Sequence, residues 1–271
     1  MADQGISKQL EKVKHIILVL SGKGGVGKSS VTTQLSLALV NQGFKVGVLD
    51  VDLTGPSIPR MLAGFQSTPM RAKGFAVCPS VSFFRTKTTL WYGVGLKRMA
   101  SFQTKFIRQM PAMIKQFLQD VCWGELDYLV IDTPPGTSDE HISVVEYLKA
   151  FNPDGAVIVT TPQGVALADV RKELSFCKKV QLPILGVVEN MSGFVCPHCA
   201  ECTNVFSSGG GESMAKDYQI PFLGRVPIDP QFTSMVETEG EGSYVNKFET
   251  SNLFPTFQKI AEQLIAQTPQ Q

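Results

Sequence analysis

Ser21–Ser30 reads "SGKGGVGKSS", four glycines and two lysines in ten residues. Residues Gly22-Lys23-Gly24-Gly25-Val26-Gly27-Lys28-Ser29 satisfy G-x-x-x-x-G-K-[ST]. The run before them, "HIILVL" from His15 to Leu20, is short, rich in β-branched residues and reads as a buried strand. After Lys28, the apolar positions Val31, Leu35, Leu37, Ala38 and Leu39 predict a helix that stops at Gln42-Gly43. A glycine-rich loop between a strand and a helix is the context that separates a phosphate-binding loop from a chance match. Glycines let successive backbone N–H groups turn inward around phosphate oxygens, and the helix N-terminus adds a favourable dipole. Lys28 is placed to meet the β- and γ-phosphates, and the Ser29 hydroxyl to ligate Mg²⁺. Ser30 follows in the first helical turn and completes the nucleotide-binding set.

One lysine suffices for such a loop, and this loop has two. Lys23 sits early, where Lys28 already neutralises the phosphates. It is either a solvated lysine near an anion or a residue that crosses a dimer interface to the partner's phosphates. In the second role it would stabilise charge developing during transfer, as an arginine finger does.

Outward from the loop, apolar runs and helical stretches alternate. "KVGVLDVD" (Lys45 to Asp52) is a second buried strand ending in two acids, beside the loop. "LDYLVIDTPPG" (Leu126 to Gly136) is a third, stopped by two prolines. "GAVIVTTPQ" (155–163), "PILGVVENMS" (183–192) and "PFLGRVPID" (221–229) repeat the form. Helices are expected near 140–150, 165–179 and 254–267. Strands without hydrophobic alternation, separated by helices, indicate a mostly parallel, doubly wound sheet covered on both faces: a three-layer α/β/α P-loop NTPase. No linker divides the 271 residues, so one domain is expected, with an ordered core over 14–267.

Strand ends complete an NTPase site. Asp132 closes "YLVID" as a Walker B acid should, suited to holding the Mg²⁺ shell, and Asp52 is suited to orienting water. Buried carboxylates at strand ends are costly without a cation, which favours a bound metal. A guanine-reading N-K-x-D is absent, so ATP is favoured over GTP.

The composition is globular, 43% hydrophobic and 18% charged, with net charge +1, so no polyanionic partner is indicated for the chain as a whole. Residues 53–119 contain no Asp or Glu but ten Lys and Arg; divergent sequence is the favoured reading there over a nucleic-acid surface. No apolar run reaches membrane-spanning length, and the start, "MADQGISKQLEKVK", is unlike a secretory or transit signal. "CPHCAEC" sets Cys196, Cys199 and Cys202 at C-x₂-C-x₂-C spacing. Such packing is not a disulfide framework and points to a reducing, cytosolic compartment. Soft thiolates suit iron–sulfur clusters or zinc, and either normally wants four protein ligands. Two cysteines from each of two subunits across a two-fold axis would supply them, and the residues alone leave iron and zinc open. Cys78, Cys122 and Cys177 are isolated and read as packing residues.

The double-lysine loop, "VGVLDVDLTGPSIPRML", "DYLVIDTPPGTSDEH", "VTTPQ" and "VENMSGFVCPHC" together resemble the Mrp-type scaffold ATPases of cytosolic iron–sulfur cluster assembly, within the MinD-like deviant-Walker group. The resemblance covers residues 14–62 and 112–267, while 63–111 depart from the family pattern. It implies a dimer with ATP at the interface, Lys23 acting in trans, Asn190 reading the adenine, and a labile [4Fe–4S] cluster bridged by Cys196 and Cys199. Cys202 is then dispensable. Only about a dozen residues, none of them cysteine, precede the first strand, so the chain resembles the shorter of two eukaryotic subunits. That implies a longer paralogous partner, with a homodimer as the other possible assembly, and apoprotein clients and targeting factors. A MinD-like ATPase cycling on a membrane is the competing reading. It needs a basic amphipathic C-terminal helix, which "FPTFQKIAEQLIAQTPQQ" does not supply. A zinc-bridged structural dimer with a vestigial nucleotide site is the third.

Overall fold

The computed structural model describes residues 10–52, 58–61, 81–84, 123–136, 139–149, 151–195, 202–203, 208–232 and 248–268. In chain order the elements are β1 (Val13–Leu20), α1 (Lys28–Asn41), β2 (Val46–Asp50), α2 (Ile58–Met61), β3 (Val81–Phe84), β4 (Leu126–Asp132) and α3 (Asp139–Lys149). They continue with β5 (Gly155–Thr160), α4 (Gly164–Lys179), β6 (Ile184–Val195), β7 (Cys202–Thr203), α5 (Gly210–Asp217), β8 (Phe222–Ile228) and α6 (Phe254–Gln267).

Six of these strands run parallel in the spatial order β2-β4-β1-β5-β6-β8. Two short antiparallel strands complete the sheet, β3 on β2 and β7 on the far end of β6. The unbroken apolar runs are explained by burial on both faces. Ile17 and Val19 of β1 join Val48, Val130 and Val157 under α1 and α6, whereas Leu18 and Leu20 join Leu49, Leu129 and Ile131 under α3 and α4. Side chains alternate across a strand, so a strand covered twice cannot show alternating polarity.

α1 lies between the sheet and α6 and is buried nearly all round. Its hydroxyls avoid stranded polarity by bonding back one turn: Thr32 to the Lys28 carbonyl at 3.0 Å, Thr33 to Ser29 at 2.9 Å and Ser36 to Thr32 at 2.7 Å. The helix stops where expected, at Gly43, whose φ of 97° only glycine adopts cheaply. α6 directs Phe257, Ile260, Ala261 and Leu264 into the core, so its apolar face is covered by protein. Among the described residues no helix is long and apolar enough to cross a membrane.

Two features differ from the sequence expectations. β2 ends at Asp50, leaving Asp52 two residues beyond it, and β4 intervenes between β2 and β1, so β2 is not beside the loop's own strand. Helix α5 is unexpected, because it begins in three consecutive glycines. Of the segment 63–111, only β3 falls within the described residues; it lies at the sheet edge.

Candidate nucleotide site and cysteine hairpin

The chain order reverses around β1: the crossover through α1 leads to one side, towards β2, and the crossover through α3 leads from β4 to β5 on the other. In open α/β sheets ligands bind at such a switch point, outside the carboxyl ends of the strands. Residues 21–27 lie there, at the carboxyl end of β1.

The loop is hemmed in on several sides. A Cβ on Gly22 would sit 2.6 Å from the Asp169 backbone in α4, so only glycine fits that crossing. Gly27, at φ 78°, precedes α1 in a left-handed conformation, and a Cβ there would meet the Asn190 amide at 2.3 Å. Asn190, at the carboxyl end of the inner part of β6, donates from Nδ2 to the Val26 carbonyl at 2.8 Å. On a further side the turn after β4 is tied in: Gly136 N–H donates to the Ser21 carbonyl at 2.8 Å. Gly24 and Gly25 are exposed, and a Cβ on Gly25 would meet nothing within 4 Å, which leaves the loop open towards solvent.

Asp132 is the centre of the site. It is fully buried, and Lys28 Nζ lies 2.6 Å from Oδ1. The Thr32 hydroxyl donates to the same oxygen at 2.8 Å, and the Ser29 hydroxyl to Oδ2 at 2.5 Å. Thr32 escapes the sequence reading, although its place one helical turn after Lys28 puts both on one face of α1. Asp50 faces Asp132 across the β2–β4 register and is itself 1% exposed. Burial, and then the Asp132 charge, push its carboxyl up to about 7, against the N–H groups of Ile58 and Asp52 and the charge of Lys28. The oxygen donors Ser29, Asp132 and Asp50 around one ammonium fit a hard cation beside phosphates, the chemistry of Mg²⁺. Asp52 is half-buried, with its N–H donating to Asp50 Oδ1 at 3.0 Å. Lys23 is half-buried beside the exposed glycines, and its carbonyl accepts from the Ser21 hydroxyl at 3.2 Å. Ser30, in the first turn of α1, is half-buried, and its carbonyl accepts from Gln34 at 3.3 Å.

A second buried pair supports the turn after Asp132. One ring nitrogen of His141 lies 2.8 Å from the Pro134 carbonyl and the other 2.7 Å from Glu173 Oε1 in α4; both side chains are fully buried. No sequence signal marks it, since the partners lie on different helices.

Beyond Asn190, β6 kinks through Met191 (φ 56°) and Gly193 (φ 88°) and continues to Val195. Phe194 and Val195 pair antiparallel with Thr203 and Cys202, so the Cys202 backbone belongs to the returning strand. Cys196 and Cys199 lie outside the described residues, as do Cys78 and Cys122. Cys177 is a packing residue: it is fully buried, and burial, then Glu173, push its thiol up to about 12.

Comparison with known proteins agrees with this architecture. The cytosolic Fe-S cluster assembly factor CFD1 of Candida glabrata is 52% identical over 276 residues, covering 95% of this chain and 92% of that protein. The cytosolic Fe-S cluster assembly factor NUBP2 of Bos taurus is 50% identical over 96% of this chain and 95% of its own. Among solved structures, the nucleotide-binding protein of Archaeoglobus fulgidus in complex with ADP matches with a TM-score of 0.72 and 36% identity, over 94% of this chain and 96% of that one. The cell division ATPase MinD of Pyrococcus furiosus matches with a TM-score of 0.65 at 24% identity, over 93% and 98% of the two chains, a likeness of fold alone. Residues 12–265 match the family described as ParA, NUBPL iron-transfer P-loop NTPase, and the chain therefore belongs to that family of P-loop NTPases.

Proposed function

We propose that the protein is a cytosolic, ATP-dependent scaffold that assembles a labile [4Fe–4S] cluster between two subunits and passes it to cytosolic and nuclear apoproteins. The observation that carries this reading is the near full-length similarity, at about half identity, to proteins named as cytosolic Fe-S cluster assembly factors. The cluster is cargo, held by Cys196 and Cys199 from each of two chains, with Cys202 set apart on the returning strand. ATP lies on the loop 22–30, with Lys28 on the β- and γ-phosphates and Ser29 and Asp132 holding Mg²⁺. Asp52 orients the attacking water, and Lys23 reaches the partner's phosphates as they gain charge. Asn190, with its amide nitrogen engaged on Val26, presents its carbonyl oxygen to the adenine amino group. Hydrolysis is slow and serves the carrier role. The partner is a longer paralogous subunit, with a homodimer as the alternative assembly. A membrane-cycling role has less support, because the apolar face of α6 is turned into the core.

Anaerobic reconstitution with iron and sulfide, followed by absorption spectroscopy and metal analysis, tests this. About one four-iron cluster per two chains is expected. Cys196→Ser and Cys199→Ser should each lose it, because each removes two of four thiolates from the shared site, and Cys202→Ser should keep it. Zinc in place of iron, one cluster per chain, or equal loss in all three variants would refute the bridged cluster. Co-expression with the longer paralogue, followed by mass measurement of the purified complex, tests the heteromer.

A further inference from the structure

β6 serves both ends of this molecule. Asn190 holds the nucleotide loop through the Val26 carbonyl, and five residues later the same strand enters the cysteine hairpin at Val195. The residue before Asn190 is a fully buried carboxylate, Glu189, which the nucleotide chemistry does not use. A buried carboxylate only accepts, so it must be met by donors. The Ser192 hydroxyl donates to Oε1 at 2.5 Å, and the Gly209 N–H donates to the same oxygen at 2.9 Å. The Gly211 N–H donates to Oε2, and Arg225 Nε stands 3.7 Å from Oε1. Ser192 lies where the chain leaves for the hairpin, and Gly209 to Gly211 lie where it returns and begins α5.

Each of the three glycines that open α5 has its own constraint, and only that of Gly211 is the carboxylate itself. Gly209 is left-handed, at φ 83°. A Cβ on Gly210 would sit 2.8 Å from the Pro162 carbonyl, and one on Gly211 would sit 3.0 Å from Glu189 Oε2 and 3.1 Å from Thr160 Cγ2. A side chain at Gly211 would push the returning backbone off the carboxylate. Between Glu189 and the hairpin the strand passes through Met191, a non-glycine residue at φ 56°, so the kink is held in place by its surroundings.

We propose that Glu189 is a positioning residue: it clamps the outgoing limb at Ser192 and the returning limb at Gly209 and Gly211 to the strand position next to Asn190, and so couples nucleotide binding at the loop to the thiol reactivity of Cys196 and Cys199. Movement of Val26 around a nucleotide pulls on Asn190, and Asn190 and Glu189 are joined by one peptide bond. A shift of this strand end must carry the two limbs with it or strip the buried carboxylate of its donors. The role deepens the scaffold reading and rests on it for its biological use.

The test uses the full chain without cluster and measures alkylation of Cys196 and Cys199 by iodoacetamide, read by peptide mass spectrometry, with and without Mg-ATP. In the wild type the nucleotide should change the rate at least threefold. Glu189→Gln keeps the shape but turns an amide group towards N–H donors. It should bind ATP within about twofold of wild type, yet alkylate at one rate with or without nucleotide. Gly211→Ala, which crowds the same carboxylate, should behave alike, and it serves if Glu189→Gln fails to fold. A clamp with only a structural role would change both rates by the same factor and preserve their ratio. That result, or a wild type whose rates ignore nucleotide, overturns the proposal. The scaffold reading fails separately, if the wild type takes up no iron–sulfur cluster on reconstitution.

Discussion

Replacing Lys28 by alanine should do two measurable things, because the lysine is the counter-ion of a buried acid and, in the function proposed above, a phosphate ligand. Its ammonium lies 2.6 Å from Asp132, and the two side chains are 5% and 0% exposed. Breaking a buried pair by removing one partner costs about 3–5 kcal/mol, since the other charge is left uncompensated. Asp132 keeps the Ser29 and Thr32 hydroxyls, so the lower end, about 3 kcal/mol, is expected. For a chain of this length each kcal/mol moves the melting midpoint by about 2–4 °C, so the variant should melt about 6–12 °C below wild type. Circular dichroism melts in EDTA-containing buffer would measure it. Adding Asp132→Asn to Lys28→Ala should restore most of that loss, because the stranded charge is removed with its partner. ATP affinity should fall about 10²–10⁴-fold, from two lost charge-assisted contacts at about 1.5–3 kcal/mol each. A variant that melts within about 2 °C of wild type, or a pair of substitutions whose effects simply add, would refute the reasoning. Near-normal ATP binding would refute the assignment of Lys28 to the phosphates.

Lys23→Ala should leave ATP affinity within a few-fold of wild type and lower hydrolysis. Mixing it with a hydrolysis-dead chain that retains Lys23 should restore turnover if the lysine acts across the interface, and failure to do so removes that role. Asp50 has a folded-state pKa raised to about 7 from 3.8, so between those values the unfolded chain binds fewer protons and stability falls as pH rises through that window. Asp50→Asn should abolish that fall, on the order of 4 kcal/mol in full, and denaturant midpoints at about pH 4 and pH 8 without divalent cations would read it. His141→Ala removes the hydrogen bond to Glu173 Oε1 while Oε2 has no partner among the described residues, and should cost about 3–5 kcal/mol by urea unfolding. A loss below about 1 kcal/mol would mean that water readily replaces the imidazole.

Local chemistry makes much of this protein legible in its sequence. Gly22 to Ser29 is a motif whose spacing is set by backbone turns around phosphate, and a motif of that kind needs only its flanking strand and helix to be read. The apolar runs at 15–20, 126–132, 155–160 and 184–190 declared parallel strands because burial on both faces leaves no polar alternation to mask them. Asp132 was recognisable from its place at a strand end. Spatial neighbours were a different matter. Lys28, Ser29 and Thr32 converge on an acid about a hundred residues away only because β4 inserts between β1 and β2. The same insertion sets Asp50 opposite Asp132, and the end of β2 at Asp50 leaves Asp52 half-buried beyond it. Glu189 and the three glycines of α5, and His141 with Glu173, carry no local pattern at all. Their partners are brought together by sheet order and helix packing, and sequence periodicity specifies which face of an element is buried but not which element will cover it.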